Sequence, residues 1–311
     1  MARIPGPECG HSKTCFIDPG TMCRSLTPAP SPAGCAPLLL PARRPPAPVA
    51  DDPFSGATPY DQARSLLRPV LRGCAYGATL RELPQPLEDL VGKTVDLPVK
   101  LFRDYLAKEG IKEADIGGSL DVTIPHPRYF VIHDTSFKLD RARAFPSNIN
   151  ESSWAANRLH SSIRPANVFV TRVGTSFTHS DFSHTELSTK YAVRHRQRSN
   201  QFLNTELIQP RISGNSRGTG DAIAPQPGFP TSQLERLAVI YVAASLRHGS
   251  WLVPAFHAVV DYEFRNNARM HDDPQNFSLY TWSELLGSLL KAIHGVRPAG
   301  EEKMRGIDSK V

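Results

Sequence analysis

Cysteine is scarce: the five residues Cys9, Cys15, Cys23, Cys35 and Cys74 all lie in the first quarter of the chain. Their odd number and irregular spacing fit neither a CxxC zinc knuckle nor a closed disulfide set, so they read as incidental, with a disulfide or two as the alternative. No stretch approaches the ~20 consecutive apolar residues of a membrane-spanning helix, which excludes a transmembrane protein of that type. The short apolar run from Ala36 to Leu40 is broken by Pro37 and bounded by Pro41. Arg43 and Arg44 follow it rather than precede it, so it makes a poor signal-peptide core and export is not legible. No HExxH occurs, which argues against the common zinc-protease helix. There is also no long Lys/Arg block interleaved with aromatics, and nucleic acid is not expected as a partner. The balance of 36 Lys+Arg against 30 Asp+Glu, a net +6, mildly favours anionic partners such as wall polymers. The densest basic run, Arg194 to Arg198, reads equally as a solvated loop or a phosphate contact.

What remains is an ordinary globular composition, 40% hydrophobic and 21% charged over 311 residues. Organisation along the chain is uneven. The first fifty residues hold 11 of the 28 prolines; such a segment buries too little apolar surface to offset its ordering entropy, and residues 1–58 read as a disordered Pro-rich leader or linker. Residues 59–122 read as a helical extension packed on the main domain. Within it Val99, Phe102, Tyr105 and Leu106 share one helical face, with Gly110 as the stop. Residues 123–297 form the main domain and 298–311 a C-terminal tail.

In the main domain, Arg128 to His133 is a continuous apolar run ending in a polar side chain, the pattern of a strand buried on both faces. Asn167 to Gly174 and Phe202 to Ile208 predict two more strands. A Gly/Pro/Ser loop, Pro210 to Pro230, precedes a helix that opens on Ser232–Glu235, a capping box, and closes at Gly249. A last helix carries Leu285, Leu286, Leu289, Leu290 and Ile293. The mixed order of strands and helices predicts an α/β domain with a central mixed sheet flanked by helices.

A catalytic zinc site needs three protein ligands and an open position for water. His133 closes the buried strand, His257 follows the capped helix in Val253 to Val259, and Asp273 precedes Pro274 in His271-Asp272-Asp273-Pro274-Gln275-Asn276-Phe277. Singly, each is explained as well by a hydrogen-bonded core histidine or a turn aspartate. In order, they form a strand ending in Ile132-His133-Asp134-Thr135, a Glu206-bearing strand, a helix followed by His257, and Asp273-Pro274 with Phe277 beyond. This series resembles the zinc-dependent N-acetylmuramoyl-L-alanine amidases, including the phage lysozyme-type enzymes and the peptidoglycan recognition proteins. The resemblance covers about residues 125–295.

The resemblance implies an amidase/peptidoglycan-recognition-like fold and Zn2+ bound by His133, His257 and Asp273. It also implies Glu206 as the catalytic carboxylate and hydrolysis of the amide between N-acetylmuramic acid and L-alanine in peptidoglycan or muropeptides. Glu206 is otherwise explained as a sheet-edge glutamate in solvent. His271 stands where many relatives carry lysine; it is either a donor to a developing oxyanion or itself the third ligand, with Asp273 behind it. The chain departs from the phage lysozyme-type pattern at Ala166-Asn167, where those enzymes have Tyr-His. His179 and His184 read as a polar loop lining the substrate groove. The alternative function is a non-catalytic peptidoglycan-binding module. The compartment is periplasmic or secreted if the leader is a linker, or cytoplasmic if the chain recycles soluble muropeptides.

Overall fold

The structure, a computed structural model, describes residues 53–71, 75–139, 144–158, 166–212, 227–264 and 271–295. The leader before residue 53, the C-terminal tail and all five cysteines fall outside these. The chain runs through helix α1 (Pro59–Leu66), short strands β1 (Val70–Leu71) and β2 (Ala75–Tyr76), and helices α2 (Leu87–Leu90) and α3 (Val99–Lys108). It continues through β3 (Tyr129–Asp134), β4 (Phe137–Lys138), β5 (Val168–Val170), β6 (Ser176–Thr178), α4 (Lys190–Arg194), β7 (Phe202–Leu207) and β8 (Pro210–Arg211). It ends with α5 (Thr231–His248), β9 (Val253–Phe256), α6 (His257–Glu263) and α7 (Leu279–Gly295).

The architecture is mixed α/β. Five strands form one sheet in the order β6-β5-β7-β3-β9, and every pairing is parallel except β5 with β6. All six residues of β3 and all six of β7 are buried, as the unbroken apolar run at 128–133 predicts for a strand covered on both faces. The two faces separate by the period-two alternation of strand side chains. Phe130 meets Tyr241 of α5 with ring centroids 5.3 Å apart. Tyr129, on the other face, stacks on Phe202 at 5.4 Å and meets Phe264 at 5.6 Å. His133 has the parity of Tyr129 and so belongs to the α6 side.

Several elements differ from their sequence reading. The strand expected over Asn167–Gly174 stops at Val170, because Gly174 takes φ +81° and the chain turns there into β6. Helix α5 starts at Thr231 without a capping box: Ser232 lies inside the first turn, and its hydroxyl donates instead to the Arg172 carbonyl at 3.1 Å. Gly249 does end the helix, with φ +83° and its N–H bonded to Ser245 and Leu246. Part of the expected loop at 210–230 is strand, since Pro210–Arg211 pairs with Phe137–Lys138. Strand β9 contains Pro254, which a sheet tolerates because β9 is the edge strand.

Residues 59–122 are more than a helical appendage. They include the β1–β2 pair, and Leu66, Leu87, Phe102 and Ile116 are fully buried in the same hydrophobic core as β3, α5 and α7. Phe102→Ala should lower the unfolding free energy by about 3–5 kcal/mol, and denaturant titration should show one cooperative transition rather than early loss of a separate unit. Polar contacts tie the same segment down. Glu113 accepts from Arg103 Nε at 2.7 Å and from the Leu120 N–H at 2.7 Å. Desolvation raises its pKa, but Arg103 and that N–H hold it below the usual glutamate value. A depressed carboxylate stabilises the fold above its unfolded pKa of about 4.3 and stops doing so as the pH falls through its lowered folded value. The stability gap between wild type and Glu113→Gln should therefore be steady near neutral pH and shrink below about pH 4, read from urea midpoints across pH.

Candidate metal centre

Register builds the site. In the β3–β7 ladder His133 is paired with Glu206, and in the β3–β9 ladder the last pair is Ile132 with Phe256. His257 is the next residue along, the first of α6. Glu206, His133 and His257 therefore form a row across three neighbouring strands, at the carboxyl ends where open α/β sheets place their ligands. Asp273 reaches the row from the segment between α6 and α7: its carbonyl accepts the Ala258 N–H at 3.0 Å, and its Oδ2 lies 3.5 Å from the Asp134 N–H.

Three side chains converge. Asp273 Oδ2 is 2.8 Å from His257 Nδ1 and 3.9 Å from His133 Nδ1, and the two imidazole centroids are 4.2 Å apart. One ligand atom from each of His133, His257 and Asp273 lies within 4.8 Å of the others, so the group could hold a metal ion. All three are buried, as is Glu206 at 2% exposure; a solvent-facing glutamate is thereby ruled out. His271 falls in a different triplet, with His257 and Asp261. Its Nε2 is 3.3 Å from Asp261 Oδ2, and its Nδ1 is 3.9 Å from Asp273 Oδ1.

The electrostatics favour a cation. Burial and the neighbouring His257 depress His133 to about 3 and His271 to about 4, so both are neutral at pH 7. Burial alone would depress His257 as well, but the carboxylates of Asp273 and Asp261 override it and lift the imidazole to about 10. Asp134, desolvated and close to Asp273, rises to about 7. Asp272 forms a two-pronged pair with Arg211, both contacts 2.8 Å. Asp273 Oδ1, His257 Nε2 and both ring nitrogens of His271 are buried without an aligned hydrogen-bond partner among the described residues, the His257 Nε2 and His271 Nε2 contacts to Asp261 being charge contacts at 3.3 Å, a cost that a bound ion or water would relieve.

No protein-family model matches the chain, and no curated protein or solved structure matches it. Sequence reasoning missed Asn204, whose Oδ1 is 2.9 Å from His133 Nε2, and Asp261, one helical turn beyond His257. Asp261 is legible only once 257–263 is known to be helical; Asn204 carries no pattern of its own. Asn167, in the place of the absent Tyr-His pair, is a brace: its Oδ1 accepts the Asn204 N–H at 3.0 Å and its amide donates to the His184 carbonyl at 3.0 Å. His179 and His184 are not brought to the row. His184 pairs with Asp181 at 2.9 Å and borders a cavity of about 220 Å³ with Ile124, Phe202 and Leu203, none of them from the row.

His257 is common to both triplets. If the group holds a divalent ion, His257→Ala should weaken its binding by more than the roughly 100-fold attached to loss of an outer partner, whereas His271→Ala should leave most of the affinity, both measured with added divalent metal by chelator competition on the full chain.

Proposed function

We propose that the chain is a zinc-dependent amide hydrolase acting on the bond between N-acetylmuramic acid and L-alanine, in peptidoglycan or soluble muropeptides. The observation that carries this reading is the convergence of His133, His257 and Asp273 beside Glu206 on the adjacent strand. Two imidazoles and one carboxylate are the donor set of an open catalytic zinc site rather than of a closed structural one. Asp273 turns Oδ2 toward both imidazole Nδ1 atoms, which suits a cation shared among the three.

His133, His257 and Asp273 would hold the ion. Zinc bound there supplies Lewis acidity, polarising the scissile carbonyl and easing deprotonation of water. Glu206, one strand over from His133, takes the proton from the attacking water and delivers it to the departing alanine amine. His271 is depressed by burial and acts as a neutral imidazole, donating an N–H to the oxygen that gains charge. The buried pair of Asp272 and Arg211 anchors the backbone on which Asp273 is carried. No helix among the described residues is long and apolar enough to cross a membrane.

The test is mass spectrometry of products from peptidoglycan incubated with the purified chain, with zinc and with chelator in parallel. Stem peptides bearing a free L-alanine amine, lost on chelation, are expected; no product despite stoichiometric bound zinc would instead mark a recognition module. Glu206→Gln should keep zinc affinity and lose at least about 100-fold in turnover; full activity would remove Glu206 from its role.

A further inference from the structure

Asp261 is fully buried on α6, four residues beyond His257. Two backbone donors at the start of α4 fix its carboxylate: the Tyr191 N–H to Oδ1 and the Lys190 N–H to Oδ2, both at 3.1 Å. The same Oδ2 lies 3.3 Å from His257 Nε2 and 3.3 Å from His271 Nε2. On the other side of the centre, Asn204 Oδ1 lies 2.9 Å from His133 Nε2. In both His133 and His257 it is Nδ1 that faces Asp273 Oδ2. An imidazole that gives one nitrogen to a metal carries its proton on the other, and the acceptor there selects the tautomer and aims the ring.

We propose that Asp261 is a positioning residue: it keeps the proton of His257 on Nε2 and so turns the Nδ1 lone pair toward His133 and Asp273 as the donor for a divalent metal ion. This rests on the metal-centre reading above. Asn204 does the same for His133 with a neutral acceptor. The same Asp261 oxygen lies equally close to His271 Nε2, so one carboxylate sits beside both a metal ligand and the oxyanion donor. A second ion in the triplet His257, Asp261, His271 is the competing arrangement. It would require His257 to give up both ring protons and Asp261 to become a ligand.

The decisive measurement is heteronuclear NMR of the ring nitrogens in the histidine-labelled, zinc-loaded full chain. The expected result is a metal-shifted Nδ1 and a protonated Nε2 on His257, at one zinc per chain. A metal-shifted Nε2, or two zinc ions per chain, would overturn the proposal while leaving metal binding intact. No zinc bound by the wild type would instead overturn the metal-centre reading and this one with it. Asp261→Asn should weaken zinc binding by about 10- to 100-fold and shift the absorption spectrum of the cobalt(II) form. Thr189→Ala is the control, since Thr189 Oγ1 caps α4 through the Ala192 N–H at 2.9 Å and Thr189 belongs to neither triplet. It should lower stability and leave the cobalt spectrum unchanged. Equal spectra and affinities in the two variants would mean that Asp261 serves only to cap α4, and would sink the idea.

Discussion

The parallel pairing of β3 with β7 on one side and β9 on the other is the constraint on which the rest depends. It aligns Glu206, His133 and the start of α6 in one row, and it does so through backbone bonds rather than through contacts among the charged groups themselves. A slip of one residue in either ladder would send the affected side chain to the opposite face, against α5. The apolar residues prevent that slip. Phe130 is committed to Tyr241, and Tyr129 to Phe202 and Phe264, so the core that stabilises the sheet also specifies which histidine faces which carboxylate.

Around the row the protein buries Asp134, Asp261, Asp272, Asp273 and Glu206. Asp272 is matched by a fixed cation, Arg211, whereas Asp261 and Asp273 lie against His257. A buried ion pair that loses one partner is strongly destabilising, so Asp261 and Asp273 call for positive charge between them, whether a proton on imidazole or a metal ion. That demand separates the cluster from the other buried polar contacts of the molecule. Arg247, for example, is satisfied by the carbonyls of Ile116, Gly118 and Ser119 and has no such requirement.

Much of this is legible in the sequence, and the legible parts share a cause. The run ending at His133, the helix closed by Gly249 and the apolar spacing through Leu286 and Ile293 are local patterns, and local patterns survive into the structure. The convergence of His133, His257 and Asp273 is not local; it emerges from motif order and from the resemblance, since no spacing rule joins positions on separate elements. Asn204 and Asp261 stay hidden for the same reason: one depends on strand register and the other on a helix seven residues long. The capping box fails because Ser232 has a competing acceptor in Arg172, from a segment remote in sequence. Strand β9 is hidden by Pro254, whose meaning depends on whether the strand lies at the edge or in the middle of the sheet.

The edge position of β9 has a kinetic consequence. The strand that leads into His257 is the last of the five in chain order and joins the sheet beside β3, with β7 already on the other flank and α5 crossing in between. Parallel ladders between remote segments close slowly, because loop-closure entropy comes before any contact compensates for it. The centre should accordingly be among the last features to assemble on the folding route, and a nascent chain emerging from the ribosome would carry His133 and Glu206 exposed to solvent long before His257 and Asp273 arrive beside them.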